Sequence, residues 1–262
     1  MEPRRARGLI LRLRGLGESD LLVDMFTREL GRVTALAKGG KRSRKRFFGL
    51  FLLGHYLDMQ LAPPQKGSDL WRLETASLLA SHLGLRQDFR RFLAAAPVWE
   101  LLLRATAAQD PNPLGLDLAL TTLARLERAA DPPELASGLM IYLARLLVEM
   151  GYGLSLGACL ICGKPGGQGE SMRLSLAGGL VCQACLREIN QGGDESCCDA
   201  RAGLVKGLEA AQSLELAALQ RLKFAAGLHR QGLAFLAEFW RKVAGRDLPS
   251  LDLAQSLLSN IL

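Results

Sequence analysis

From Leu9 to about Ser77 the pattern of apolar and polar residues is β-like, and after Ala80 the apolar spacing becomes helical. Residues 8–14 end in a run where leucines alternate with arginines, the pattern of a half-buried strand. Residues 20–27 predict a second strand, and Arg28-Glu29-Leu30-Gly31 a turn in which Gly31 can take a positive φ. Residues 32–38, 51–61 and 70–78 predict three more strands, the last two separated by the breaker-rich Ala62-Pro63-Pro64-Gln65-Lys66-Gly67-Ser68-Asp69. Five short strands in about seventy residues suit a small barrel, and the five-stranded OB type is one that holds strands of nucleic acid.

Helical spacing runs from 85 to 93 and on through 98–103, with Pro97 starting a new helix or kinking the first. Asp110-Pro111-Asn112-Pro113 is a loop. Residues 114–129 and 133–150 are amphipathic helices, the second opened by Asp131-Pro132-Pro133-Glu134 with acid and proline at its N-terminus. Residues 156–199 read as Gly-rich and irregular, and helices resume over 206–226 and 231–243. There is no internal repeat. The predicted organisation is α+β: an OB-type domain over 1–80, then an all-helical domain over 81–250 carrying an inserted cysteine module at about 156–199.

The 262 residues suffice for two domains with a sizeable core, and 49% hydrophobic with 23% charged residues is ordinary for a globular protein. No apolar run approaches a membrane span, and the one after Arg7 stops at Arg12, too short for a signal-peptide core. The expected location is therefore the cytoplasm, where thiols stay reduced.

Charge is distributed unevenly. The first fifty residues hold thirteen Lys/Arg and five Asp/Glu, whereas the whole chain has 33 and 26. Such a cluster makes a local potential able to hold a polyanion. Its densest part, Lys38-Gly39-Gly40-Lys41-Arg42-Ser43-Arg44-Lys45-Arg46, falls between the third and fourth predicted strands, beside a face that also presents Arg12, Arg14 and Arg32. Phosphates need cations along their path, and glycines let backbone N–H groups approach as well. With no helix-turn-helix or finger helix evident, the expected binding is non-specific. Phe47, Phe48 and Phe51 follow directly; one could stack on a base, but packing into the core is the preferred assignment.

All six cysteines lie between 159 and 198, which excludes a disulfide framework spread along the chain. Cys159-Leu160-Ile161-Cys162 and Cys182-Gln183-Ala184-Cys185 are two Cys-x-x-Cys pairs with nineteen residues between them, a zinc spacing. Four sulfurs close the coordination shell, so one structural zinc is expected, held by Cys159, Cys162, Cys182 and Cys185. A redox pair is the rival reading. Cys197 and Cys198 are either a substitute ligand pair or surplus thiols.

No catalytic constellation is apparent. His55, His82 and His229 stand apart from any compact Ser/Asp or Glu motif. Gly39-Gly40-Lys41 fails the Walker pattern at both ends, and Gly15-Leu16-Gly17 lacks the remaining glycine and the βαβ setting of a dinucleotide fingerprint. The expectation is a protein that is not an enzyme. Other readings are a zinc-ribbon RNA-binding or transcription factor, a hydrolase or transferase with an unrecognised site, and a non-catalytic scaffold.

Two stretches carry a family resemblance. One is Gly17-Glu18-Ser19-Asp20-Leu21-Leu22-Val23, then Thr27-Arg28-Glu29-Leu30-Gly31-Arg32, then Ala37-Lys38-Gly39-Gly40-Lys41-Arg42-Ser43. The other is Met150-Gly151-Tyr152-Gly153-Leu154-Ser155-Leu156 followed by Cys159-Leu160-Ile161-Cys162-Gly163. With the order of domains over about 8–245, they resemble the DNA repair protein RecO family of bacterial recombination mediators. The resemblance implies an OB-fold domain, a helical domain and a zinc module. It implies binding of single- and double-stranded DNA, annealing of complementary strands, and cooperation with RecR and single-strand-binding protein so that RecA can load. A cytoplasmic, nucleoid-associated protein follows from it. On this reading Arg12, Arg14, Arg32, Lys38, Lys41, Arg42, Arg44, Lys45 and Arg46 are the DNA contacts. The sequence departs from the family at Arg246-Asp247-Leu248-Pro249-Ser250-Leu251-Asp252, where a basic ending is usual, and at Ala62-Pro63-Pro64, where the strand exit is usually plainer.

Overall fold

The computed structural model of the chain describes residues 2–166, 171–189 and 197–261. The alternating N-terminal pattern becomes a closed barrel of β1 (Arg4–Leu16), β2 (Asp20–Thr27), β3 (Gly31–Ala37), β4 (Tyr56–Ala62) and β5 (Leu70–Ala80), in the order β1-β2-β3-β5-β4. Thirteen residues let β1 serve two neighbours: Arg4 to Leu9 pair with β4, and Gly8 to Leu16 pair with β2. A register shift between Ile10 and Arg12 breaks the second ladder, a β-bulge that bends the strand as closure requires. Every pairing is antiparallel except β3 with β5, which touch over Thr34 to Leu36 and Leu70 to Arg72.

Strand β3 shows why this sequence closes on itself. Val33, Ala35 and Ala37 point inward and are buried, while Arg32, Thr34 and Leu36 alternate outward. Ile10, Met25, Leu57, Met59, Leu61, Trp71 and Leu73 fill the interior against those small alanines. Phe47, 2% exposed, joins this core from the β3–β4 connection, with the Phe51 ring centroid 5.0 Å from its own. Phe48 is exposed.

The predicted fourth strand starts late. Residues 51–55 form local turns, with His55 N–H donating to the Leu52 carbonyl (3.1 Å), before pairing begins at Tyr56. Gly49 and Gly54 hold left-handed φ values of 71° and 80°, which a strand cannot accommodate.

After the barrel come α1 (Gly84–Gln87), α2 (Phe89–Ala105) and α3 (Pro113–Arg128). The break falls at Asp88, and Pro97 lies inside α2 rather than starting a new helix. Two compact units result, Met1–Gln87 with Pro97–Leu123 and Asp88–Ala96 with Ala124–Leu262.

The second unit is organised around α4 (Pro132–Glu149), which Asp131 caps by accepting from Glu134 N–H (2.8 Å). Twelve of its residues are buried, so it is apolar nearly all round, as a central helix must be. It packs against α6 (Ala202–Ser213), α8 (His229–Ala244) and α9 (Pro249–Ile261), and Trp240 Nε1 donates to the Leu143 carbonyl (3.1 Å). The cysteine module is more regular than its glycines suggested. Strands β6 (Ser155–Cys159), β7 (Met172–Ser175), β8 (Gly179–Cys182) and β9 (Cys197–Asp199) form one sheet in the order β6-β8-β7-β9, with α5 (Gln183–Ile189) after β8. The helix predicted over 206–226 instead ends at Ser213. Leu214 turns extended (ψ 148°), and α7 (Leu216–Leu219) is a single turn. Helix α9 was not predicted.

Gly31 offers a test of this packing. Its φ is +66°, and a Cβ there would lie 2.3 Å from the Asp110 carbonyl oxygen. Gly17, at φ +55°, faces open space. Gly31→Ala should therefore destabilise by at least ~2 kcal/mol, and Gly17→Ala by about 1 kcal/mol, in urea unfolding. Equal losses would show that the β2–β3 turn does not abut the Asp110 backbone.

Candidate nucleic-acid interface and metal centre

The basic run lies where the barrel strands place it, in the connection from β3 to β4, and it is built rather than merely tethered at two ends. Asp20, at the start of β2, accepts from Gly39 N–H (2.7 Å). That hydrogen bond, chiefly, holds the Asp20 carboxyl below the usual carboxylate range. Lys41 N–H donates to the Ser19 carbonyl (2.9 Å), and Lys41 Nζ to the Gly17 carbonyl (2.6 Å). Arg42 pairs with Glu18 at 3.2 Å. Further on, Ser43 Oγ accepts from Phe47 N–H (2.9 Å), and Arg46 donates to the Lys38 carbonyl (2.9 Å) with its guanidinium 4.3 Å from the Phe47 ring centroid.

These contacts sort the cations. Lys41, Arg42 and Arg46 hold the loop to the β1–β2 turn and to itself. Lys38, Arg44 and Lys45 are exposed, and among the described residues no hydrogen bond or ion pair engages their side chains.

A second group lies on the outer barrel face. Asp24 pairs with Arg12 (2.6 Å) and Arg14 (3.0 Å) and accepts from Thr34 Oγ1 (2.6 Å). Its side chain is 4% exposed, whereas those of Arg12 and Arg14 are 50% and 45% exposed. Strand register explains the meeting, since Arg12 stands opposite Asp24 and Asp24 opposite Thr34. Burial alone would push the Asp24 carboxyl up, but bonds from Thr34, Arg12 and Arg14 outweigh it and hold the carboxyl below its ordinary value. Arg12 bonds through Nε and Arg14 through one Nη, so each keeps other guanidinium N–H groups for an anion. Arg32 belongs to neither group: its Nε donates to the Thr106 carbonyl (3.1 Å). Sequence reasoning named the arginines and missed Asp24 and Thr34; the outward phase of all four in neighbouring strands was the available signal.

The four-cysteine cluster is compact. One sulfur from each of Cys159, Cys162, Cys182 and Cys185 lies within 4.8 Å of the others. Cys162 Sγ is 3.7 Å from Cys182 Sγ, and four sulfurs about 2.3 Å from a central ion stand about 3.8 Å apart. Cys182 N–H donates to Cys159 Sγ (3.4 Å), and Gly163 N–H to the Cys159 carbonyl (3.0 Å), closing the first knuckle at φ +71°. The thiols are held far apart in acidity. Burial opposes ionisation of Cys159, but backbone N–H donors overcome it and lower its pKa. Burial and the neighbouring sulfurs push Cys185 up. A soft divalent cation would resolve that conflict by stabilising every thiolate, so this donor set fits a metal. Cys198 is on β9, outside the cluster; of Cys197 only the backbone is described.

The histidines make local ties. His55 Nδ1 lies 3.0 Å from the Leu50 carbonyl, and burial lowers its pKa. His229 Nε2 is 2.9 Å from Ser137 Oγ, which also accepts from Phe224 N–H. Among the described residues no helix is long and apolar enough to cross a membrane.

Comparison with known proteins agrees with both halves of this arrangement. Residues 1–82 match the family described as recombination protein O N terminal, and residues 86–252 match recombination protein O C terminal. The barrel with its helical partner unit is thus that of a recombination mediator. DNA repair protein RecO of Syntrophobacter fumaroxidans is 35% identical over 164 residues, 63% of each chain. That of Frankia casuarinae is 35% identical over 189 residues, 69% of this chain and 72% of the relative. That of Syntrophus aciditrophicus is 24% identical over 254 residues, 97% and 95% of the two. The chain belongs to the RecO family of DNA repair proteins.

The Asp24 pairing has a pH signature. A carboxyl whose folded pKa lies below its unfolded value of about 3.9 stabilises the fold above that pH, and the contribution disappears as pH falls through the folded pKa. Asp24→Asn should cost about 1–3 kcal/mol at pH 7 in urea unfolding. The gap between variant and wild type should shrink below about pH 4. A gap unchanged into strong acid would exclude an ionic role for Asp24.

Proposed function

We infer that this chain is a non-catalytic, DNA-binding mediator of recombinational repair. It binds single- and double-stranded DNA without sequence preference, anneals complementary strands, and helps the recombinase onto single strands coated by single-strand-binding protein. The observation that carries this reading is the cationic run 38–46, fixed to the barrel rim by some of its residues while others project freely. Annealing needs no reacting group. It needs the repulsion between two phosphate backbones screened while the bases stay free to pair, and a fixed cationic edge does that. In this reading Lys38, Arg44 and Lys45 meet phosphates first. Lys41, Arg42 and Arg46 hold the loop's shape and add to its field, as Arg12 and Arg14 do on the neighbouring face. Arg32 contributes charge at a distance. Membership of the family supports cooperation with RecR, single-strand-binding protein and, through them, RecA, and a place in the cytoplasm at the nucleoid.

The four cysteines, on the same reading, hold one zinc ion. Cys159 and Cys162 come from the end of β6 and its knuckle, Cys182 and Cys185 from the end of β8 and from α5, so a bound ion would tie three short elements together at one point. All four ligands being protein sulfur, the ion would supply cross-linking and no Lewis-acid chemistry.

Two experiments test these assignments. Fluorescence-monitored annealing of complementary strands should be accelerated by the wild type at low salt. Lys38→Ala/Arg44→Ala/Lys45→Ala should lose most of the acceleration and flatten the slope of log affinity against log salt by about 2 for single strands. An unchanged slope would remove the loop from the interface; no acceleration by folded wild type would remove annealing from the function. Elemental analysis should find one zinc per chain, and chelation or Cys159→Ser/Cys182→Ser should lower the Tm by about 5 °C or more, with DNA affinity per folded molecule preserved. Metal-free protein with the same Tm would refute the structural role.

A further inference from the structure

The connection from β4 to β5, whose paired prolines depart from the family pattern, folds over the barrel's outer face and leaves a cleft of about 540 Å³. Pro63 and Pro64 line it together with Leu36 of β3 and Leu70 at the start of β5, and Lys66 and Arg72 are at its border. Local bonds shape the loop: Ser68 N–H donates to the Gln65 carbonyl (3.0 Å), Leu70 N–H to Ser68 Oγ (3.1 Å), and Gly67 turns at φ +86°. Lys66 is exposed, and no hydrogen bond or ion pair engages its side chain among the described residues; Arg72 pairs with Glu74 at 2.8 Å. Trp71 borders the cleft along β5, opposite Ala35, with its side chain packed in the barrel core. It is 5% exposed, and its indole N–H has no hydrogen-bond acceptor among the described residues.

The cleft is continuous with the arginine face. Leu36 stands opposite Arg72 on one side and Leu22 on the other, and Leu22 stands opposite Arg14. One outward row across four strands therefore reads Arg14, Leu22, Leu36, Arg72, apolar in the middle and cationic at both ends. A ligand matching that row presents a flat apolar group between anionic ones.

We propose that this cleft seats an unstacked nucleobase of a single strand, with Lys66, Arg72 and Arg14 meeting the flanking phosphates. The proposal rests on the DNA-binding reading above and gives it a base-contacting subsite. A pyrrolidine and leucine enclosure takes a base by its faces, which every base has, so the site is tolerant of sequence. Paired bases within a duplex cannot enter, so the cleft separates single from double strands where the cationic loop does not.

The test compares a twenty-nucleotide oligo(dT) with an abasic strand of equal length and charge, by fluorescence anisotropy at matched salt. Wild type should bind the oligo(dT) about tenfold more tightly, the ratio for one well-held base. Leu36→Asn with Pro64→Gly should reduce that ratio to near one while leaving affinity for the abasic strand unchanged. Photocrosslinking of a 5-iodouracil strand to wild type should label residues 62–72, a readout independent of how the variant folds. Equal wild-type affinity for both strands, or crosslinks that spare 62–72, would overturn the base site and leave cationic DNA binding standing. Failure of wild type to bind either strand would overturn the DNA-binding reading, and the subsite with it.

Discussion

The bulge in β1 sets the phase of everything on the barrel's outer face. Before it, Ala6 and Ile10, at even positions, point into the core. Ile10 stands opposite Met25, Arg12 stands opposite Asp24, and Leu11 is the extra residue between them. After it, Leu13 packs against the core, and Arg12 and Arg14 point out. A strand of uninterrupted period two would drive both guanidiniums into the apolar interior, at a cost no barrel of this size could absorb. One inserted residue therefore bends β1 so that it serves two neighbours, and it converts a buried-charge problem into a cationic surface. Asp24 and Thr34 then fix that surface, because they already share the outward phase on the next two strands.

The basic loop obeys a related economy. Ordering long cationic side chains is entropically unfavourable, and like charges repel, so a dense run of them is expected to be diffuse. Here half the charges are used to suppress that. Lys41 is satisfied by a backbone carbonyl, Arg42 by Glu18 and Arg46 by the Lys38 carbonyl, and Phe47 anchors the far end of the run in the barrel core. The remaining cations stand on a scaffold that has already met the entropic cost of placing them. Preorganisation of this kind raises affinity without adding a contact.

Much of this was legible in the chain. The β2 boundaries, the position of the basic loop, the paired Cys-x-x-Cys knuckles and the Asp131 cap all follow from short-range chemistry that residues carry with them. What was not legible depended on partners distant in sequence. Residues 51–55 have strand composition, but left-handed Gly54 and a turn bond from His55 N–H to the Leu52 carbonyl take precedence over it. Residues 156–199 looked irregular because strands of three to five residues leave too few positions to show a period, and they hold together through sheet partners and clustered sulfurs. The helix expected to continue to 226 stops where Leu214 turns extended, although apolar spacing runs on beyond it. Nothing along the chain sets Asp24 apart from the other carboxylates; only strand register puts it between two arginines.

The Pro63-Pro64 pair shows how a local anomaly becomes interpretable only in three dimensions. Along the sequence it merely interrupts a strand exit. In the fold the loop it stiffens lies against Leu36, on the same outward row as Arg14, which owes its orientation to the bulge in β1. Proline there fixes φ and removes two N–H donors that an exposed loop would otherwise have to satisfy with water. A cleft wall built from such residues keeps its shape without being tied by hydrogen bonds to the strand it faces, so the face beneath it stays open. The bulge and the prolines thus act on one surface from different strands of the barrel, the first setting which side chains it shows and the second how much of it is roofed.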